Sequence, residues 1–107
     1  MPTRLIALFN LKPGVTVQAY ENWAKTVDLP TVRALPSIAG FEVMRVTGTL
    51  GGAGPLPYAY VEILDVEDMA RFGEDIATDT MTAIAAAFQG MADVTFLTTD
   101  RVEPDLA

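Results

Sequence analysis

This chain of 107 residues has no cysteine and no histidine. Without cysteine there is no disulfide framework and no thiol chemistry. Without histidine the usual general base and the commonest metal ligand are lost together. The two absences remove the donor sets that zinc and copper sites are built from. The carboxylates are hard enough for magnesium or calcium, but they are scattered and match no calcium-loop spacing. The expectation is therefore no metal and no cofactor. Basic residues are also scarce: 7 Lys and Arg stand against 14 Asp and Glu, for a net charge of −7. Nucleic acid and anionic membrane both select basic surfaces, so neither is an expected partner. No apolar run approaches the length of a membrane span. The opening "MPTRLIALFNLKPG" lacks the apolar length and the small-residue cleavage site of a secretory signal. These readings point to a cytoplasmic protein.

What is present is apolar. Half the residues are hydrophobic and 20% are charged, enough to build a core and too apolar for disorder. Residues 1–107 read as one domain. "TRLIALFNL" predicts a strand over residues 3–11, stopped by Lys12-Pro13-Gly14. A helix follows over residues 17–27, with Thr16 as its N-cap, and Pro30 and Pro36 turn the chain off it. "FEVMRVTGTL" predicts a strand over residues 41–50, "GGAGPLP" a turn, and "YAYVEIL" a strand over residues 58–64. Asp65 then caps a divided helical region, with Asp68 at the capping-box position. Gly73 and residues 78–80 loosen that region. Its second part carries Met81, Ile84, Ala85 and Phe88 at helical spacing, and Gly90 ends it. "DVTFLTTD" is the last strand.

The order β-α-β-β-α-β is the split βαβ, or ferredoxin-like, arrangement: α+β, with an antiparallel four-stranded sheet and helices on one face. Such a sheet should alternate apolar and polar residues. These strands are apolar on both sides. Leu5, Ala7 and Phe9 oppose Ile6 and Leu8; Val61 and Ile63 oppose Tyr58 and Tyr60; Val94 and Phe96 oppose Leu97. A second copy packed on the open sheet face resolves the mismatch, so a homodimer is expected.

Seven residues are candidates for a ligand site. On the first helix Val17, Tyr20, Ala24 and Val27 form the apolar stripe. Trp23, the only tryptophan, lies at one edge and Asp28 near the other. Trp23 either packs at the margin of the core or lines a cavity between helix and sheet. If the turn spans residues 51–56, Arg45 falls opposite Glu62, with Tyr58 and Tyr60 on the same face. That set is either a structural ion pair or the polar cluster of a small-molecule cleft lining the dimer interior. Asn10 either caps its strand or joins the site, and Asp28 either ends its helix or faces a ligand. "GGAG" leads into a strand and lacks Lys-Ser/Thr, so it is no phosphate loop. No catalytic residue stands out, and whether the chain is an enzyme is left open by these residues.

The pattern Trp23-x4-Asp28-x-Pro30-x4-Leu35-Pro36-Ser37, then Phe41, Arg45-x-x-Gly48 and Tyr58-x-Tyr60-x-Glu62, resembles the RedY-like or HapK-like family. The resemblance runs from Leu5 to the final strand. It implies a dimeric α+β barrel with a cleft in each subunit and an association with prodiginine-type pigment pathways. By that resemblance the chain is a small-molecule-binding or accessory protein of secondary metabolism, holding a flat apolar intermediate. The wider superfamily includes cofactor-independent monooxygenases, which implies an alternative role in which Trp23, Asn10 and Tyr60 surround a phenolic substrate. It also includes haem-degrading enzymes, but the absence of histidine excludes haem ligation through that residue. Two further readings are an enzyme that resembles the tautomerases in using an N-terminal proline, here Pro2, and a structural dimer without ligand.

Overall fold

The computed structural model describes residues 2–105. Four strands form one antiparallel sheet in the order β2-β3-β1-β4. They are β1 (Thr3–Leu11), β2 (Ile38–Arg45), β3 (Tyr60–Val66) and β4 (Ala92–Thr99). The sheet and its helices have the ferredoxin-like arrangement expected from the element order. β1 ends where expected, and Gly14 takes the left-handed backbone (φ 87°) that lets the chain turn there. The Thr16 side chain accepts from the Ala19 amide and starts α1 (Val17–Trp23).

The first departure from expectation is at Pro30. The helix does not end at Val27. After α1 it widens into a π-helical turn (Ala24–Asp28) and continues as α2 (Leu29–Arg33), with Pro30 in the first turn of α2. In an unbroken α-helix Pro30 would lack its hydrogen bond and its ring would clash with a carbonyl one turn earlier, costing about 3 kcal/mol. In the wider turn the Leu29 amide reaches back to the Ala24 carbonyl. The chain therefore passes the proline without leaving the helix.

The extra residue also rotates the helix. Regular α geometry would set Val27 roughly 20° and Asp28 roughly 80° from the direction of Tyr20. Instead Tyr20, Ala24, Asp28 and Val32 are buried, while Val17 and Val27 are 50% and 37% exposed. The apolar stripe expected at Val17 and Val27 is thus replaced by one that carries a carboxylate inward.

The hairpin differs too. β2 starts earlier and stops at Arg45, and β3 runs to Val66. Arg45 pairs with Tyr60 and Val43 with Glu62, two residues from the expected register. An even shift preserves the faces, so Arg45, Tyr60 and Glu62 still share one. That face is not the open one. Tyr60, Glu62, Leu64 and Val66 are buried beneath the helices together with Leu5, Ala7 and Phe9. Asp65 is a strand residue paired to Arg4 (2.8 Å). Asp68 is the N-cap of α3 (Met69–Asp75), and Thr78 caps α4 (Asp79–Met91). The division therefore falls at residues 76–78. Gly73 and Gly90 both lie inside helices.

At the core, Phe9 stacks on Tyr60 (5.2 Å between ring centroids) and meets Phe88 edge-on (4.9 Å). Tyr20 closes the cluster against Tyr60 at 4.9 Å. A second set, including Leu5, Phe41, Leu64 and Ile84, fills the other half. Ser37 ties the α2–β2 connection to α3 and the segment before it, its amide donating to Asp75 Oδ2 (3.0 Å) while its carbonyl accepts from the Glu67 amide (2.8 Å). No helix of the described residues is long and apolar enough to cross a membrane.

Phe9 has no exposed surface, so Phe9→Ala should lower stability by about 3–5 kcal/mol. Arg4→Ala, which breaks an exposed ion pair, should cost a small fraction of that. Urea titrations of the two variants would show the contrast, and comparable losses would contradict this account of the core.

Candidate functional site

Between the helix face of the sheet and α2, α3 and α4 lies a cavity of about 370 Å³. Its sheet side is Leu5, Leu64 and Glu62, and its helical walls include Val32, Phe72, Ile84 and Phe88. Met69, Ile76 and Phe96 also line it and are 39%, 40% and 52% exposed, which marks its mouth. The Met81, Ile84 and Phe88 stripe, read from the sequence as the apolar face of this helix, is both core and cavity wall.

Two acids reach this apolar space. Glu62 projects from the central strand β3 opposite Ala7, whose small side chain leaves room for it. It is 2% exposed, and its Oε1 has no hydrogen-bond partner among the described residues. Asp28, 5% exposed, is delivered by the π-helical turn. Burial, followed by the charge of Asp28, pushes the Glu62 carboxyl from an ordinary 4.5 up to about 8. Burial alone raises Asp28 from 3.8 to about 6. Near neutral pH Glu62 therefore spends much of its time protonated, a buried hydrogen-bond donor as well as an acceptor. The Tyr20 hydroxyl is also buried and without a hydrogen-bond partner among the described residues. Its own burial, then the charges of Glu62 and Asp28, drive its pKa strongly upward.

The expected Arg45–Glu62 pair is not formed. Arg45 Nε and Nη2 donate to Glu21 Oε2 and Oε1 at 2.6 and 2.8 Å. The Tyr60 hydroxyl donates to the same carboxylate at 2.7 Å. Hydrogen bonds from Arg45 and then Tyr60 hold Glu21 down at about 2. The register explains the exchange: Arg45 sits across from Tyr60, one rung beyond Glu62 and under Glu21 of α1. Glu21 had no signal in the sequence, because its partners lie 24 and 39 residues away. With Arg45 taken by Glu21, no Lys or Arg among the described residues lines the cavity beside Glu62.

The remaining candidates do not converge there. Trp23 is half-buried and stacks on Phe88 at 6.2 Å, behind the cavity wall and not in it. Tyr60 is buried in the aromatic cluster. Asn10 clamps the loop before β3: its Nδ2 donates to the Pro57 carbonyl (3.2 Å) and its Oδ1 accepts from the Ala59 amide (2.9 Å). Tyr58 is 41% exposed in that loop, and Pro2 is exposed ahead of β1. So Trp23, Asn10 and Tyr60 do not surround one space, and of the seven candidates only Asp28 and Glu62 line the cavity. No cluster of acids among the described residues is arranged to hold a metal ion.

A profile of the family described as REDY-like protein HapK matches residues 3–102. The chain belongs to this family. HapK from Hahella chejuensis is 30% identical over 100% of this chain and 98% of its own, with a TM-score of 0.77. A dimeric ferredoxin-like protein of unknown function from Thermobifida fusca is 22% identical over 92% of this chain and 90% of its own (TM-score 0.70). SnoaB, a cofactor-independent oxygenase from Streptomyces nogalater, is 13% identical over 96% and 95% (TM-score 0.73). The last two speak for the fold alone. No curated protein matches the sequence.

The two raised carboxyls make stability pH-dependent. In the folded chain Glu62 holds its proton to about 8, whereas unfolded it releases it near 4.5. The stabilising contribution is thus full below about 4.5 and is lost as pH rises through about 8. Glu21 stays ionised across that range and does not obscure it. Thermal melts should show wild type losing stability from about pH 5 to about pH 8. Glu62→Gln should flatten that slope and melt higher than wild type near pH 8. An unchanged slope would mean that Glu62 is not buried as described.

Proposed function

We propose that this chain is a small-molecule-binding or accessory protein of secondary metabolism that holds a flat, largely apolar molecule in the cavity beneath α4. The observation that carries the reading is an apolar cavity of about 370 Å³ with two buried acids and no cation. Ligand sites are commonly built as apolar clefts with a few placed polar groups, and the volume suits a molecule of two or three fused or linked rings. Membership of the HapK family and the resemblance to prodiginine-pathway proteins support a pathway intermediate as the occupant. Asp28 and Glu62 are its polar contacts. Trp23 backs the wall through Phe88, while Arg45 and Tyr60 anchor Glu21 away from the cavity.

The proposal includes a homodimer. On the open face of the sheet Ile6, Leu8, Val61 and Ile63 are only half covered, and Leu97 and Met44 are 44% and 42% exposed. A patch of this kind calls for a partner. A second copy supplies an equally apolar face by symmetry, and the Thermobifida neighbour is described as dimeric.

N-phenyl-1-naphthylamine, an uncharged probe whose fluorescence rises in apolar surroundings, should bind wild type. Ile84→Trp, which enlarges a buried side chain of the cavity wall, should weaken that binding at least roughly tenfold, because the added volume excludes the rings. Full binding by a folded Ile84→Trp protein would remove the cavity as the site. For the assembly, light scattering should give twice the chain mass at micromolar concentration, and Ile63→Arg should give the monomer. A wild-type monomer under those conditions would refute the dimer.

A further inference from the structure

Of the three helices around the cavity, α3 has the least hold on the core. None of its seven residues is fully buried. α4 buries Met81, Ile84 and Phe88, and α2 buries Val32. From α3, Phe72 packs half-buried on the core cluster. Met69 at its start and Ile76 just past its end line the cavity, yet both stay well exposed. One side of the cavity mouth therefore runs along α3, with Phe96 of β4 across from it. A helix this short is marginal on its own, so its position depends on what ties it down.

The ties are few. The chain is irregular at residues 67–68 and again at 76–78. The Asp68 carboxylate accepts from the Ala70 and Arg71 amides, a cap that moves with the helix. At the far break the Thr78 hydroxyl donates to the Asp75 carbonyl (3.2 Å) and accepts from the Met81 amide, which starts α4. The long-range tie is the Ser37 amide donating to Asp75 Oδ2 (3.0 Å). Among the described residues no other side-chain hydrogen bond or ion pair joins α3 to a distant part of the chain. Ser37 itself is fixed. It is 1% exposed, its carbonyl holds the Glu67 amide, and a tight turn from the Leu35 carbonyl to the Ile38 amide (3.1 Å) brackets it. The Leu35-Pro36-Ser37 motif thus presents one backbone amide to one carboxylate on α3.

Resting on the reading that the cavity binds a small molecule, we infer that α3 is a lid. It swings between the breaks at residues 67–68 and 76–78, admits the occupant past Met69 and Ile76, and is latched shut by Asp75 on the Ser37 amide. Opening gives up the half-buried contacts of Phe72 and the latch, while Met81, Ile84 and Phe88 keep α4 in place. Elements with few buried contacts are the ones that open locally, and short breaks at element ends absorb such motion. A gate limits entry and exit alike. Weakening the latch therefore accelerates both and leaves affinity nearly unchanged, whereas a residue that only shapes the wall acts mainly on dissociation.

The test uses the absence of cysteine from this chain. In a Ser37→Cys, Asp75→Cys double variant the two thiols can pair only with each other, and oxidation fastens α3 shut. Stopped-flow fluorescence with N-phenyl-1-naphthylamine should show both rate constants falling at least roughly tenfold on oxidation and recovering on reduction. Asp75→Ala should raise both together by roughly tenfold, the order expected for a hydrogen bond to a charged group, and Asp75→Asn, which keeps an acceptor, should fall between. Unchanged rates after cross-linking, or faster dissociation alone in Asp75→Ala, would overturn the lid and leave the cavity as a binding site. Amide hydrogen exchange tests the lid without any ligand. In wild type the Phe72 and Ile76 amides, which close the turns of α3, should exchange at least roughly tenfold faster than those of Ile84 and Phe88, and Asp75→Ala should widen the gap. Equal protection of α3 and α4 would overturn the lid even if the probe does not bind, an outcome that by itself counts against the cavity reading. If the double variant does not cross-link, the Asp75→Ala rates and the exchange pattern decide.

Discussion

Proline has no amide hydrogen to donate, and the first helical segment is built around that fact. A regular helix would have ended or kinked at Pro30. Widening one turn removes the conflict, and the residue it adds rotates everything beyond it. Val27 moves toward solvent and Asp28 moves inward. π-helical turns recur at functional sites, and here the mechanism is visible: the irregularity re-aims one acidic side chain. Val32, one turn further on, stays over the sheet and packs with Leu5, Phe41 and Leu64. The cavity, its acid pair and the line of the α2–β2 connection all depend on that turn.

A second constraint is the separation of charges. The helix face of β2 and β3 carries Arg45, Tyr60 and Glu62 within two rungs. Had Arg45 paired with Glu62, the result would have been a buried ion pair, neutral in sum and poor as a binding site. Glu21 instead takes both donor nitrogens and the Tyr60 hydroxyl. That network lies at the edge of the core, where Arg45 stays largely hydrated, with its side chain 59% exposed. Glu62 is left alone in an apolar space. Glu21 and Glu62 differ in character: the first is held ionised by its donors, the second neutral by burial. The same residue type thus acquires opposite chemistry from its neighbours.

The fold and the function stand on different footings. A four-stranded sheet of this topology is shared with proteins as different as HapK and an oxygenase, at 30% and 13% identity. The scaffold therefore does not select the chemistry. The side chains that enter the cavity do. In this chain Trp23, Asn10 and Tyr60 are engaged in wall packing, a loop clamp and the Glu21 network.

The element order, the two-sided apolar pattern of the strands, the divided second helix and the family resemblance were all legible in the chain itself. They rest on period, punctuation and motif, which are local. The first strand was legible to the residue because Pro13 and Gly14 stop it. So was the alternation that sorts Phe9 from Leu8, since a side-chain period of two survives any even error in register. Asp28 and Glu62 were legible as candidates, but not as a pair, and Glu21 not at all. Which face lay under the helices, where the hairpin register fell and which acid Arg45 would choose were decided only by tertiary structure. Each depends on groups tens of residues apart meeting in space. A π-helical turn depends on the balance between one missing hydrogen bond and the packing of a whole helix against a sheet, and that balance is not written in any local stretch of sequence.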